Sequence, residues 1–172
     1  AHKVLYLSTG FNGKPTAVSG VIYVPDGPAP EGGRKIVALN HGTTGVRDNC
    51  APSMITDPEK TPAWDFGGAG MLDRGWIVAA TDYQGLGTPG PHPYIVGRPA
   101  AMDALDLVRA ARNLPDAGAG DTFGVWGHSQ GGHASMFTGQ LARRYAPELE
   151  LAGVAAAAPV PSLKDAIWTG TQ

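Results

Sequence analysis

The sequence predicts an α/β fold with a mostly parallel sheet that begins with antiparallel strands. Short apolar runs alternate with helical patterns, as in successive strand–helix units. Most of these runs are apolar on both faces, which is typical of parallel strands covered by helices on each side. The first two strand-like segments are separated by turn residues instead, and we expect them to form an antiparallel hairpin.

The composition is that of one soluble globular domain. The chain has 172 residues, of which 42% are hydrophobic and 16% are charged, so it can bury a core of ordinary size. Its formal net charge of −2 gives no electrostatic reason to expect nucleic acid or an anionic membrane as a partner. No apolar run approaches the roughly 18 residues that a membrane-spanning helix needs.

Several segments have the pattern of strands. They are short, rich in β-branched or small apolar residues, and bounded by glycine, proline or asparagine. In chain order they are Lys3–Ser8, Ala17–Val24, Lys35–Asn40, Trp76–Thr81, Phe123–His128 and Gly153–Ala158. The segment Val46–Ala69 has no clean period, so we assign no element to it.

One long helix is predicted from Pro99 to Leu114. Apolar residues recur there at every third or fourth position and form one stripe. Asp103, Asp106 and Arg109 fall outside this stripe, and we expect their side chains to face solvent.

The pentapeptide Gly127–Gly131 carries the chemistry of the chain. It reads Gly-His-Ser-Gln-Gly and lies between an apolar strand and a helical run, the context in which a Gly-x-Ser-x-Gly turn exposes its serine at the sheet edge. The following helix directs its first amides and the positive end of its dipole toward a developing oxyanion. We predict that Ser129 is a nucleophile and that the backbone N–H of Gln130 stabilises the oxyanion.

A second oxyanion donor is expected from the turn after the third strand, which supplies that amide in lipases and esterases. The sequence His41–Gly45 occupies this turn. The backbone N–H of Thr44 or of Thr43 is the predicted donor, and the sequence leaves the choice between them open.

The general base is harder to assign. A serine hydroxyl needs a histidine to take its proton and a carboxylate to orient that histidine, and in this kind of fold both follow the serine in the chain. We expect His41 to shape its turn, His128 to point away from the reaction, and His133 to lie satisfied in the core. His41 and Tyr83 lie near strand ends, and His92 lies in the proline-rich loop that follows Asp82–Gly87; all three are candidates for substrate binding. The chemistry requires no metal and no organic cofactor.

Further tracts accompany the serine turn. They are Asn40–Gly45 with Asn49–Ser53, Asp82–Gly87 with Thr88–Tyr94, Gly127–Ala134, and Tyr145–Leu149. In combination the chain resembles the secretory lipases of the Candida antarctica lipase A type and their bacterial relatives. The resemblance implies an α/β-hydrolase fold, a secreted carboxylic-ester hydrolase, and a lipid or similar ester as substrate.

The resemblance also implies that residues 1–172 are the N-terminal part of a single α/β-hydrolase domain, truncated before the cap and the last strands. The cap, the catalytic acid and the catalytic histidine are then expected in a C-terminal polypeptide, which would be the partner of this chain. The chain alone is expected to be inactive. Cys50, the only cysteine, is expected to pair with a cysteine of that polypeptide, because secreted proteins fold in an oxidising setting.

The predicted function is that of a serine carboxylic-ester hydrolase, a lipase or esterase, which forms an acyl-enzyme on Ser129. Two alternatives stay open. The same turn could serve an acyltransferase, a thioesterase or a peptidase. It could also be retained as architecture in a non-catalytic binding protein, and rapid reaction with a fluorophosphonate would separate that case because only an activated serine reacts quickly.

Overall fold

The computed structural model describes residues 1–160, which form a mixed six-stranded sheet with helices packed against it. The strands are β1 (His2–Thr9), β2 (Pro15–Tyr23), β3 (Arg34–Asn40), β4 (Ile77–Thr81), β5 (Ala119–His128) and β6 (Glu150–Ala157). The helices are α1 (Pro62–Asp65), α2 (Gly68–Asp73), α3 (Gly97–Asn113) and α4 (Gln130–Tyr145). The order across the sheet is β1-β2-β4-β3-β5-β6.

The strand directions confirm the predicted mixture. β1 pairs antiparallel with β2, and β2 pairs antiparallel with β4. β3 pairs in parallel with β4 and β5, and β5 pairs in parallel with β6. Asn40, at the end of β3, lies in register with Thr81 of β4 and with Gly127 of β5. The loops that follow these three strands therefore leave the same edge of the sheet.

The segment without a clean period forms short turns. Three single 3₁₀ turns occupy it, at Asp48–Cys50, Pro52–Met54 and Pro58–Lys60, and the four residues of α1 follow. Elements this short bury no continuous stripe, and for this reason the sequence shows no helical or strand period here.

The main core lies between the sheet and α3 and α4. Ile36, Ile77 and Phe123 project from β3, β4 and β5 and are fully buried against Leu105 and Leu107 of α3. Burial of a side chain of this size contributes roughly 1.5–3 kcal/mol. This layer holds β3, β4 and β5 together and thereby fixes the edge where their loops meet.

The prediction that α3 exposes its aspartates is wrong. Asp103 is 0% exposed and Asp106 is 8% exposed, because α3 packs against the sheet and α4 and also meets the loop after β4. Asp106 accepts hydrogen bonds from Arg109 at 2.8 Å and from the Tyr145 hydroxyl at 2.7 Å. Asp103 accepts one from the backbone N–H of Gln84 at 2.9 Å. Helical periodicity does not reveal partners that other elements supply.

β6 is one border of the sheet in the described part of the chain. Its residues are mostly exposed, and Val154 is 41% exposed. Trp76, Trp126 and Val154 line an open apolar groove on the face next to α2. None of the described helices combines the length and hydropathy that crossing a bilayer requires.

Candidate active site

Ser129 occupies the sharp turn between β5 and α4. Its backbone has φ 57° and ψ −118°, a conformation that costs a non-glycine residue on the order of 1–3 kcal/mol. Its N–H donates to the carbonyl of Ala157 in β6, and its carbonyl accepts from the N–H of His133 in α4, both at 3.0 Å. The strand and the helix on either side therefore hold the strained turn in place.

Glycine is required beneath this turn. A Cβ atom at Gly127 would lie 2.7 Å from the carbonyl oxygen of Asn40, and one at Gly131 would overlap the same oxygen. Alanine at Gly127 would also overlap the carbonyl oxygen of Gly131 and push α4 away from β5, whereas alanine at Gly131 would push α4 away from β3. Ser129 would move in either case. The two glycines of the pentapeptide thus permit the close approach that the sequence pattern predicts.

In the described part of the chain, backbone amides without an acceptor lie on both sides of Ser129. Gln130 is the first residue of α4, so its N–H has no partner within the helix. Within residues 1–160, the N–H groups of Thr43 and Thr44 also have no acceptor. Gly42 brings their loop to the serine, because a Cβ there would lie 4.0 Å from the Ser129 Cβ. The two predicted sources of oxyanion donors therefore flank the same hydroxyl.

His41 and Tyr83 are buried beneath the edge, at 2% and 1% exposure. The His41 ring places Nδ1 2.6 Å from the Gly42 carbonyl and Nε2 3.2 Å from the Asp82 carbonyl, and the shorter contact assigns the proton to Nδ1. Burial lowers the pKa of His41 and raises that of Tyr83. The Tyr83 hydroxyl donates to the His41 carbonyl at 3.1 Å. We assign both rings to the support of the loops, since neither is accessible to a substrate in this structure.

Asp82 ties three parts of the edge together. One carboxylate oxygen accepts from the N–H of Ser53 at 2.8 Å, and the other accepts from the Ser19 hydroxyl at 2.6 Å. The residue is 1% exposed. Both oxygens are committed to structure, and the carboxylate joins the end of β4 to β2 and to the turns that follow β3.

His92 lies half-buried beside the serine turn. Its Nδ1 is 2.9 Å from the Gln84 carbonyl, and its Nε2 is 3.0 Å from the side-chain amide nitrogen of Gln130. Burial lowers the pKa of His92. Sequence reasoning placed this residue only in a proline-rich loop at the rim of the site and missed the contact with Gln130, which is 38 positions away. Nearby, the hydroxyl of Tyr94 shares a hydrogen bond of 2.8 Å with that of Thr43.

The other histidines of this region are directed elsewhere. The His128 ring stacks on Phe66, with ring centroids 5.3 Å apart, as expected for a side chain that points away from the reaction. The expectation of a satisfied core position for His133 is wrong: the ring is half-buried, donates from Nδ1 to Val160, and has no partner for Nε2 among the residues described. No hydrogen bond joins any imidazole to the Ser129 hydroxyl within residues 1–160.

Cys50 and the acidic residues among residues 1–160 form no metal site. Cys50 is half-buried and free in the described part of the chain, where its sulfur packs against Gly45. Across residues 1–160, no group of three or more histidine, cysteine or acidic side chains is arranged to hold a metal ion.

A strained serine between a parallel strand and a helix, beside amides that have no acceptor within residues 1–160, defines the class of the α/β-hydrolases. Residues 66–169 match the family model described as secretory lipase, and the chain belongs to this family. The resemblance drawn from the sequence tracts is thereby confirmed.

Curated relatives extend well beyond this chain. Lipase A of Arthroderma benhamiae is 28% identical over 176 residues, covering 96% of this chain and 37% of that protein. A Mycobacterium tuberculosis protein described as a probable inactive lipase is 28% identical over 174 residues, covering 95% of this chain and 37% of that protein. A secreted triacylglycerol lipase of Malassezia furfur is 36% identical over 87 residues, covering 49% of this chain and 22% of that protein. The chain thus spans about 37% of the length of the first two relatives.

Solved structures show the same architecture. Candida antarctica lipase A in its closed state superposes with a TM-score of 0.70 and 25% identity over 87% of this chain and 35% of that chain. The rice cell wall degrading esterase LipA of Xanthomonas oryzae gives a TM-score of 0.68 and 25% identity over 87% of this chain and 39% of that chain. The fold is that of α/β-hydrolase lipases and esterases.

Proposed function

We propose that this chain contributes the nucleophile and the oxyanion hole of a serine carboxylic-ester hydrolase. The observation that carries the proposal is the strained, half-buried Ser129 at the sheet edge, between the amide of Gln130 and those of Thr43 and Thr44, which have no acceptor within residues 1–160. The strain in this turn does not stabilise the fold. Acyl transfer, in contrast, needs a nucleophilic hydroxyl and oxyanion donors in this arrangement.

The reaction follows from these positions. The Ser129 oxygen attacks the carbonyl carbon of the ester, and the hydroxyl proton passes to a general base. The negative charge on the carbonyl oxygen is held by the amide of Gln130 and by that of Thr43 or Thr44. The intermediate collapses to an acyl-enzyme as the alcohol leaves with the proton, and water then releases the carboxylic acid.

The general base and its carboxylate are assigned to residues outside the described part of the chain. Within residues 1–160 the carboxylates of Asp82, Asp103 and Asp106 are all engaged in structural hydrogen bonds. Chain order in this fold places both groups after the nucleophile. We infer that residues 1–172 are the N-terminal part of one hydrolase domain, completed by a cap and a C-terminal region, and that they are inactive without that region.

The substrate class and the location are inferred from relatives. One relative is described as a secreted triacylglycerol lipase and one similar structure as a cell wall degrading esterase. We therefore assign a lipid or similar carboxylic ester as substrate and an extracellular location.

The test is replacement of Ser129 in the full-length protein. Ser129→Ala should remove nearly all hydrolysis of p-nitrophenyl butyrate, because the covalent route is lost. Ser53→Ala is the matched control, since its hydroxyl makes no hydrogen bond within residues 1–160. Retention of more than a small fraction of turnover in Ser129→Ala would exclude Ser129 as the nucleophile.

A non-catalytic hydrolase-fold protein is the second candidate. It is favoured by the relative described as a probable inactive lipase, and by the lack, within residues 1–160, of a hydrogen bond between any imidazole and the Ser129 hydroxyl. Reaction with a fluorophosphonate separates the two functions. Rapid labelling that Ser129→Ala abolishes supports the hydrolase, and labelling no faster than that of an ordinary serine supports the binding protein.

A further inference from the structure

We propose that His92 and Tyr94 are positioning residues that hold the two sides of the oxyanion hole in register. The side chain of His92 is hydrogen-bonded to that of Gln130, and the side chain of Tyr94 is hydrogen-bonded to that of Thr43. The inference rests on the proposed function, because it assigns these contacts a purpose only if Gln130 and Thr43 flank a reacting carbonyl.

The direction of the His92 contacts follows from the acceptor it faces. The Gln84 carbonyl can only accept, so the Nδ1 atom 2.9 Å away carries the ring proton. The Nε2 atom of the neutral ring is then an acceptor, and the amide nitrogen of Gln130, 3.0 Å away, donates to it. Gln130 is 4% exposed, and its side-chain oxygen has no partner within residues 1–160. Its link to His92 is therefore the polar contact that fixes this side chain in the described structure.

Residues of the loop after β4 fix the position of His92. Gln84 receives its position from Asp103, whose carboxylate accepts from the Gln84 N–H at 2.9 Å and from its side-chain amide at 3.3 Å. A Cβ atom at Gly85, where φ is 74°, would lie 2.5 Å from the backbone nitrogen of His92. The backbone of His92 thus packs directly against this glycine, and the hydrogen bond to the Gln84 carbonyl joins its ring to the same buried segment.

Tyr94 reaches the other side of the hole. Its hydroxyl lies 2.8 Å from that of Thr43, while the backbone N–H of Thr43 has no acceptor among the described residues. Thr43 itself is exposed. The contact with Tyr94 restricts the motion of Thr43. The backbone N–H of Thr43 can stabilise an oxyanion only if it stays in position.

The two contacts come from one short segment. Gln130 belongs to α4 and Thr43 follows β3, and the described hydrogen bonds include none between them. Only Pro93, with its restricted backbone, lies between the two positioning residues. Because a misplacement of about 1 Å can reduce turnover strongly, a common anchor for both donors has a direct catalytic consequence.

The experiment uses the full-length protein and p-nitrophenyl butyrate. In His92→Asn, the side-chain amide can still donate to Gln84 but no atom reaches Gln130, whereas in His92→Gln the longer side chain can present an acceptor to Gln130. We expect His92→Asn to lower kcat about tenfold. This is less than the 10²–10³-fold loss that follows removal of a whole oxyanion donor, because the donor is displaced but still present. KM should stay unchanged within about twofold. His92→Gln should restore part of this loss, and His2→Asn, at an exposed position in β1, is the matched control.

Tyr94→Phe should lower kcat about threefold, because it removes the hydrogen bond to Thr43 and leaves that of His92 to Gln130 in place. Gln130→Met should be non-additive with His92→Asn, because both remove the same hydrogen bond. Active sites are counted by fluorophosphonate titration, so that kcat refers to folded protein alone.

The outcomes separate the two proposals. A wild-type kcat per titrated site in His92→Asn, together with loss of activity in Ser129→Ala, would overturn the positioning role and leave the proposed function intact. Equal defects in His92→Asn and His92→Gln would also overturn it, because they would indicate a general packing role. Activity retained in Ser129→Ala would overturn the proposed function and this inference with it.

Discussion

The loops that follow β3 and β4 leave the same edge of the sheet and use their polar groups in opposite ways. In residues 41–45, Thr43 and Thr44 are exposed and their amides have no acceptor within residues 1–160. In residues 82–94, by contrast, Asp82, Gln84 and His92 each take part in at least two hydrogen bonds.

Burial explains the difference. A buried polar group without a partner costs roughly 1–3 kcal/mol, so residues 82–86 of the second loop, which are buried, have to satisfy their polar groups internally. An exposed amide meets water instead and can exchange that water for a ligand at little cost. Residues 82–86 therefore support the edge of the sheet through buried hydrogen bonds, and Thr43 and Thr44 present exposed amide donors. Four predictions test this division, from the largest expected effect to the smallest.

Asp82→Ala should destabilise the buried segment most. The substitution leaves the Ser53 N–H and the Ser19 hydroxyl without their charged acceptor, and hydrogen bonds to charged groups contribute roughly 1.5–3 kcal/mol each. We expect the free energy of unfolding to fall by roughly 3–5 kcal/mol, measured by urea denaturation. Ser19→Ala removes one of the two bonds and should cost about half as much. A loss below 1 kcal/mol in Asp82→Ala would contradict the structural role.

Thr44→Pro and Thr43→Pro test the exposed loop, because proline has no N–H to donate. Whichever position supplies the oxyanion donor should lose about 10²–10³-fold in kcat, while the free energy of unfolding changes little. Thr44→Ala and Thr43→Ser retain the amide and are the matched controls. Circular dichroism checks that the proline variants fold. Normal turnover in both folded proline variants would move the donor to another residue.

The pH dependence of stability tests the buried carboxyl of Asp103. Burial raises the pKa of this group to about 6 from an ordinary value of 3.8. Between pH 4 and 6 the unfolded chain loses this proton while the folded chain retains it, so this group destabilises the fold as pH rises through that window. One unit of pKa corresponds to about 1.4 kcal/mol, which gives a total of about 3 kcal/mol.

Asp103→Asn removes this titration and supplies the comparison. The free energy of unfolding of the wild type, minus that of the variant, should fall from pH 4 to pH 6 and become flat above about pH 7. Urea denaturation at unit intervals of pH measures the difference. A difference that is constant over this range would show that Asp103 titrates alike in the folded and unfolded chains.

Tyr83→Phe has the smallest expected effect and probes the connection between the two loops. The hydroxyl of Tyr83 donates to the His41 carbonyl at 3.1 Å, and its loss leaves that buried carbonyl with one partner fewer. The free energy of unfolding should fall by about 1 kcal/mol, with kcat lowered less than by either proline variant. If Tyr83→Phe lowered kcat as much as a proline variant without a change in stability, Tyr83 would belong to the reacting site.

The sequence by itself determined the parts of this protein that depend on local pattern. The apolar runs predicted the strands, and the mixture of parallel and antiparallel pairing was confirmed. The pentapeptide around Ser129 predicted a sharp strand-to-helix turn, and Ser129 occupies such a turn with a φ of 57°. Side-chain size, glycine spacing and hydrophobic period act over a few residues, and they can therefore be seen in the chain without its fold.

The tertiary structure decided which distant residues meet. His92 and Gln130 are separated by 38 positions, and Tyr94 and Thr43 by 51, so no local pattern links them. Asp103 was expected in solvent from the helical period of its own segment, yet the loop after β4 covers it. These contacts depend on the placement of β4 between β2 and β3, because that order brings the loop after β4 to the same edge as the serine turn. Strand order arises from the packing of the whole core, and a single segment does not contain it.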